Sequence, residues 1–547
     1  MQELKFKSLC SRYWFIAVIT AVSFVGIFDH DLWTADEPRV AEIAREFFDE
    51  GSSLAVPRLN GEPFMEKPPL YFWCVALSYK IFGGHSASAA RIPSVFFGIG
   101  TLVFTYLLAV RMYGRQTALW SCMVLSLSAE FFYINHKSLV DTSLVFFVTG
   151  TVYWLYLALT AESGKKDGYY LICYLFATGS FFAKGFIGTA FPVLLFICWI
   201  LWRRDWHEIK KARLWIGFLI VGSSISLWFW FLWKEGSWEH ISTFLVHNNL
   251  QRIIPGVGAG YSGGHVKPFY YYVNVFWRAF APWSILTPAV FFYAYRKGIV
   301  DKNRLFLVLW FVSGLLMLSF AGTKRTIYLV PLFPAISILT GSWFRAMETR
   351  KTDSRIYELS QWSILCICGI SIAVLSGLAF KYEFIHTTVF MLLIPVLVFS
   401  YVMLCRSFIK SRKFALGGLS LLLSMIYISY LLIFVPYINE RKSFKPFCKK
   451  LDEIVTVNGK PIYAFQPEET TRAVVPFYTG RKLIPVNNLE EAKSLQRDNT
   501  VFMLVLDKRN NMSNYNSLKE IFPYIIFSEV IGKRRKFKLL SNQGKKG

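Results

Sequence analysis

The stretch LNGEPFMEKPPLYFWCVALSYKIF, residues 59–82, decides how the chain is threaded. Its apolar run from 70 to 82 is shorter than the ~20 residues a helix needs to cross a hydrocarbon layer of ~30 Å. Counted as a span, it would invert every later segment. Read instead as a surface-lying or re-entrant helix, it leaves Glu66 and Lys67 at a membrane edge. Pro68 and Pro69 stiffen the backbone there and keep it out of helix until residue 70.

Around this stretch the chain is that of a membrane protein. Of 547 residues 54% are hydrophobic and 18% aromatic, and the mean hydropathy is +0.39, too apolar for a soluble protein of this length. Spans are expected near 13–29, 89–110, 117–133, 139–160, 169–183, 186–202, 214–233, 273–295, 305–320, 326–344, 361–380, 386–405 and 414–436, which makes an all-α polytopic membrane protein of about 13 transmembrane helices. The first run carries no small-residue cleavage pattern and reads as a retained helix. Lys and Arg set the orientation. One set of segments (1–12, 111–116, 161–168, 203–213, 296–304, 345–358 and 406–413) holds 24 of them, and the opposite short turns hold five. The first set is therefore cytoplasmic. Residues 1–436 then form the membrane domain, with external loops at 30–88 and 234–272, and residues 437–547 form a small extracytoplasmic α/β domain. In that tail PIYAF, KLIPV, TVFMLVL and YIIFSEVI read as strands, and EETTRAVVPFY and NLEEAKSLQ as helices.

The net charge of +25 lies mainly in short loops and in the tail, which points to membrane lipids and not to nucleic acid. The tail ending GKRRKFKLL reads as a solvated or lipid-facing strand. The nine cysteines are spread out, and Cys366 and Cys368 point different ways on one helix, so they read as packing residues. GAGYSG at 258–263 matches G-x-G-x-x-G without the flanking strand and helix that phosphate binding needs, and reads as a loop.

The informative charges gather on the external side. Asp36, Glu66, Lys67, Asp141, Lys184, Lys324 and Arg325 all fall at helix ends there, and ionisable groups at such depth are functional candidates. Residues 34–51 predict an amphipathic interfacial helix, with Val40, Ile43, Ala44, Phe47 and Phe48 on one face and Arg39, Glu42 and Glu46 on the other. Arg58 precedes an Asn-Gly turn that returns the chain toward the membrane. Lys184 sits between two apolar helices with almost no loop. Arg39, Arg58 and Lys67 suit a phosphate. A basic cluster with carboxylates can hold a lipid-linked phosphate while a carboxylate orients or deprotonates an acceptor. That is the chemistry of moving a sugar from a polyprenyl phosphate.

The segments DEPRVAEIAREFFDEG, VPRLNGEPFMEKPPLYFW, LVDTSLVFF, AKGFIGTAFP, FLVHNNLQRI, KPFYYYVNVFWRAFAPW and TKRTIYLVPLFP, in this order, resemble the motifs of the bacterial lipid A aminoarabinose transferases. These belong to the protein-mannosyltransferase-like GT-C membrane glycosyltransferases. The resemblance covers residues 30 to about 340. It implies GT-C architecture, with Asp36 and Asp141 as catalytic carboxylates. It places Arg39, Arg58, Glu66, Lys67, Lys184, Lys324 and Tyr328 around the lipid-phosphate site, adds His247 and Arg252 of the second external loop as substrate-binding residues, and makes Glu66 the ligand candidate should a divalent metal take part. It implies undecaprenyl-phosphate aminoarabinose as donor, lipid A phosphate as acceptor, and a bacterial inner-membrane protein working on its periplasmic face. Relatives in the family move galactosamine or hexoses. Here His247 is followed by Asn248 and Asn249, where the family often carries an acidic residue, which leaves sugar and acceptor open. A lipid or ion transporter is the reading from another class; it predicts charges near mid-span, and the helix interiors hold almost none.

Overall fold

The computed structural model describes residues 22–28, 30–33, 36–250, 266–297, 301–349, 354–383, 388–411, 416–458, 460–496, 501–507, 512–532 and 535–543. The described chain is mostly helical and forms two compact units. One comprises the described residues of Met1–Gly26, Met65–Tyr71 and Pro93–Ile433; the other comprises those of Ile27–Phe64, Phe72–Ile92 and Phe434–Gly547. The units do not follow a linear division at 436: most of the expected external loop 30–88 clusters with the C-terminal part of the chain.

Among the described residues, nine helices are long and apolar enough to cross a membrane, most of them wholly within the first unit. The spans expected at 117–133 and 273–295 are instead bent pairs: Arg115–Ser126 with Ala129–Asn135 turns by 70°, and Tyr271–Ala279 with Trp283–Arg296 by 115°. Helix Ser163–Lys184 matches the expected span at 169–183; the polar start SGKKDG dilutes its apolar character. Of the span at 13–29, residues 13–21 lie outside the described residues and 22–24 are helical, followed by a turn; the GAGYSG loop lies outside the described residues. Helix Leu70–Ile81 is only 12 residues long, consistent with an element that does not span. Helix packing brings small residues against aromatic ones: a methyl on Gly150 would meet Phe176 at 2.4 Å, and one on Gly179 would meet Phe147 at 2.2 Å. Such close approach is how helices associate where lipid supplies no hydrophobic drive.

The second unit contains a five-stranded sheet of β3 (Ile462–Phe465), β4 (Leu483–Val486), β5 (Phe502–Asp507), β6 (Tyr524–Ile531) and β7 (Arg535–Ser541), in the order β4-β3-β5-β7-β6. β3 runs parallel to β4 and β5, while β7 runs antiparallel to β5 and β6. Alternation along the strands sends Ile462, Ala464, Phe502 and Leu504 into one apolar cluster, and Phe465, Met503, Val505 and Leu540 into another. The four expected strands and both helices of the tail are present. The basic ending departs from its expectation: β7 is an inner strand whose residues Phe537–Ser541 are buried. Lys538 is buried with them, its ammonium over the Tyr515 ring at 3.7 Å, so its charge is met by an aromatic face and not by solvent or lipid.

Helix Asp36–Glu46 also belongs to this unit, packed against helix Glu469–Thr479. The expected amphipathic division does not hold, because Glu37, Glu42 and Glu46 are buried along with Val40, Ile43 and Ala44. Each buried carboxylate has a partner. Glu42 takes two hydrogen bonds from Arg45, both 2.8 Å, and Glu37 is met by Arg91 at 2.8 Å. Glu46 accepts from the backbone amides of Asn60 and Gly61. A helix enclosed on both sides can bury its polar face only when every charge is paired.

Candidate active site

Two groups of the expected site residues are each held together inside one unit. In the first unit, helix Val140–Thr160 begins with Asp141 in its first turn, and helix Ser163–Lys184 ends on Lys184. The two helices are neighbours, so the carboxylate stands at a helix N-terminus and the ammonium at a C-terminus, where the helix dipoles favour each sign. Lys184 and Asp141 form an ion pair with side chains 11% and 5% exposed. The Lys184 ammonium also lies 4.0 Å from the centre of the Tyr328 ring, a cation–π arrangement.

Gly185 makes this possible. It has φ +71° and joins the helix ending at Lys184 to the one beginning at Phe186 with no further residue between them. A side chain there would meet Asn249 Oδ1 at 3.2 Å and Phe244 at 3.3 Å, so the connection needs both the left-handed backbone and the missing methyl.

Glu66, Lys67, Lys184, Asn248, Asn249 and Tyr328 line a cavity of about 100 Å³, closed on its apolar side by Leu144, Ile187 and Phe191. Glu66 and Lys67 are half-buried and reach it from the turn just before Pro68 and Pro69. The asparagines come from the π-helical stretch Thr243–Leu250. Asn248 donates to the Met65 carbonyl at 3.0 Å, tying that stretch to the Glu66–Lys67 turn, and Asn249 donates to Phe244 O at 2.7 Å. A wider helical turn at this point places two consecutive side chains toward one space, as π-bulges do at functional sites.

Other expected members are placed differently. Lys324 is buried, with its ammonium donating to the carbonyls of Lys267 and Ala321; it does not line the cavity, whose wall here is Ala321, Thr323 and Tyr328. Loss of hydration pulls the Lys324 ammonium below its ordinary pKa. His247 is exposed and outside the lining. Arg252 lies outside the described residues.

The second unit holds the other group. Asp36 opens its helix, and Arg39, one turn on, pairs with both Asp36 and Glu469 while lying 5.9 Å from the Phe64 ring. Glu469 was not singled out from sequence, since a partner 430 residues away leaves no local signal. Arg58 opens β1 (Arg58–Leu59), which pairs with β2 (Glu62–Pro63) through a turn whose Asn60 and Gly61 have φ +56° and +81°, the Asn-Gly hairpin turn. The Arg58 guanidinium donates to Gly61 O at 3.0 Å. Asn60 exchanges two hydrogen bonds with the Leu483 backbone, at 3.0 and 2.8 Å, and so fixes the hairpin against β4.

Among the described residues no set of three His, Cys, Asp or Glu side chains could hold a metal, and Glu66 is part of none.

The model of the family described as dolichyl-phosphate-mannose-protein mannosyltransferase matches residues 66–230. An undecaprenyl phosphate-alpha-4-amino-4-deoxy-L-arabinose arabinosyl transferase of Yersinia enterocolitica is 28% identical over 317 residues, 57% of this chain and 55% of that protein. A second, from Sodalis glossinidius, is 25% identical over 72% of this chain and 70% of its own. Over 97% of both chains the structure matches ArnT from Cupriavidus metallidurans, crystallised with undecaprenyl phosphate, with a TM-score of 0.79 at 18% identity. The archaeal oligosaccharyltransferase AglB from Archaeoglobus fulgidus shares the fold more distantly, with a TM-score of 0.51 over 93% of this chain. The chain is a multi-pass membrane protein of GT-C architecture, and the resemblance carried by its motifs stands.

Proposed function

We propose that this protein is a membrane glycosyltransferase that moves 4-amino-4-deoxy-L-arabinose from undecaprenyl phosphate to a phosphate of lipid A, at the periplasmic face of a bacterial inner membrane. Its standing as a glycosyltransferase with a polyprenyl-phosphate-linked donor rests on relatives of that activity and on the shared fold. The observation that carries the reading within this molecule is the cavity where Lys67, Lys184, Glu66 and Tyr328 meet beside Asp141. Two cations, one carboxylate and amide donors against an apolar wall suit a phosphate joined to both a sugar and a lipid tail.

In the reaction an oxygen of the acceptor phosphate attacks the anomeric carbon of the sugar. The bond from that carbon to the donor's phosphate oxygen breaks, and the lipid phosphate leaves with the electron pair. Attack from the opposite side inverts the anomeric carbon. A phosphate acceptor is already anionic, so the carboxylates are needed to orient and not to deprotonate. Lys67 and Lys184 stabilise the charge growing on the leaving phosphate, which is where fixed cations contribute most. Asp141 holds the Lys184 ammonium in place before the donor enters. Asp36 is assigned its catalytic role by the resemblance, and Arg39 pairs with that carboxylate and orients it.

The test is mass spectrometry of lipid A from cells with and without the gene, together with transfer by the purified protein from undecaprenyl-phosphate aminoarabinose. Loss of aminoarabinose-bearing lipid A with the gene, and of transfer with Asp36→Asn in a folded protein, is expected. An unchanged lipid A spectrum would remove the acceptor assignment, and full transfer by Asp36→Asn would remove the enzyme reading.

A further inference from the structure

The first unit holds a second, larger cavity, of about 380 Å³, between helices Ser163–Lys184 and Phe186–Arg203. It shares no lining residue with the Lys67–Lys184 cavity. Its floor is Tyr170, Cys173 and Ile200, all buried, while Val193, Ile197 and Leu201 along its lip are 55%, 46% and 56% exposed. The cavity therefore opens sideways onto a surface that faces lipid in a membrane. Pro192 in its wall has no N–H to close onto the preceding turn. A dry apolar cavity of this size does not hold water stably and accepts hydrocarbon.

One end of the cavity is closed by Trp206 and Ile209 of the basic segment 203–213 and by Leu214 just after it. Two of the acidic groups there are engaged: Glu208 pairs with Lys166 at 2.6 Å and accepts from Tyr170 at 2.9 Å, and Asp167 pairs with Arg213 at 2.9 Å. Asp205 is exposed, and against it and Glu208 the segment sets five Lys and Arg, so its charge stays positive. Arg204 and Lys210 stay exposed and form no ion pair among the described residues. An apolar slot whose lining residues Trp206 and Ile209 are flanked in sequence by the exposed cations Arg204 and Lys210 suits a lipid with an anionic head.

We infer that this cavity binds one acyl chain of an anionic phospholipid whose phosphate rests on Arg204 and Lys210, at the membrane face rich in Lys and Arg. Charge complementarity selects this occupant over a zwitterionic lipid. The polyprenyl donor is excluded as occupant because its phosphate belongs with the cations of the other cavity.

The experiment is native mass spectrometry of the delipidated full-length protein with phosphatidylglycerol or phosphatidylcholine of the same chains. Retention of phosphatidylglycerol several-fold above phosphatidylcholine is expected. Arg204→Glu with Lys210→Glu should lower it by at least about tenfold, and Val193→Trp should abolish it by filling the slot. Ala177→Phe fills the same space from the facing helix and serves should the tryptophan variant unfold. Equal retention of the two lipids, unchanged phosphatidylglycerol binding by a folded filling variant, or displacement by equimolar undecaprenyl phosphate would each overturn the inference.

Discussion

The Asp141–Lys184 pair allows folding and catalysis to be separated by experiment. Replacing Lys184 with Met leaves the Asp141 carboxylate, only 5% exposed, without its counter-charge. Removing one partner of a buried pair costs about 3–5 kcal/mol. The helix N-terminus at Asp141 offsets part of that, about 0.3–2 kcal/mol, so a net loss near 2–4 kcal/mol is expected. Asp141→Asn should cost less, about 1–3 kcal/mol, because the orphaned ammonium keeps the Tyr328 ring at 4.0 Å, worth about 0.5–2 kcal/mol, and the C-terminal end of its own helix. In the double variant Lys184→Met with Asp141→Asn neither charge remains to be buried, and stability should return most of the way to that of the starting protein. A cycle of thermal-inactivation midpoints in one detergent reads this coupling. Sugar transfer by the same four proteins should not follow it: the double variant should fold yet stay as inactive as Lys184→Met, since the cation facing the leaving phosphate is gone. Additive destabilisation would refute the pairing, and a double variant with normal transfer would reduce the pair to a structural clasp.

Further outcomes follow from single contacts. Lys67→Ala should raise the KM for the polyprenyl donor about ten- to a hundredfold with little change in thermal midpoint, as loss of one hydrogen bond to a charged group does; unchanged donor KM would take Lys67 out of the phosphate site. Gly185→Ala forces φ +71° on a residue with a methyl and crowds Asn249 and Phe244, so a loss of at least about 1–2 kcal/mol is expected, read as a lowered midpoint. Arg91 is fully buried with Glu37 and also donates to the carbonyls of Ile27, His30 and Asp31. Arg91→Met should cost about 3–5 kcal/mol and expose the second unit to limited proteolysis. Asn60→Ala strips both hydrogen bonds from the Leu483 backbone and should cost about 2–4 kcal/mol, read by the same digestion.

Much of the membrane unit was legible because length and hydropathy govern it. Runs such as 139–160 and 186–202 became helices Val140–Thr160 and Phe186–Arg203 almost to the residue, since a hydrocarbon layer permits little else. Breaks inside runs were not legible. Residues 127 and 128 divide one expected span, and the segment around Pro282 divides another; apolar composition continues through both, so hydropathy has nothing to register. Helix Asp36–Glu46 was read correctly as a helix and wrongly as amphipathic. Glu37 and Glu42 are charged in any sequence window, yet Arg91 and Arg45 neutralise them inside the fold; the Glu42–Arg45 pair is one helical turn apart, but the Glu37–Arg91 pair spans 54 residues and has no local signature.

For the site, each charge could be placed at one membrane face, but the partners depend on which helices adjoin. One partnership was within reach. A helix of 21 residues and one of 22, joined by a two-residue link, return the chain to the level where it began. A short link makes them antiparallel neighbours, so a residue in the first turn of one must face the last turn of the other. That geometry alone brings Asp141 to Lys184. It does not extend to Lys324, which sits between two elements whose relative level no helix length sets, and its ammonium ends on the carbonyls of Lys267 and Ala321 instead of in the cavity. A cation held by carbonyls keeps a loop closed, whereas one held by a carboxylate at a cavity wall can exchange that partner for an incoming phosphate. On this distinction Lys184 and not Lys324 is the residue whose loss should abolish transfer in a protein that still folds.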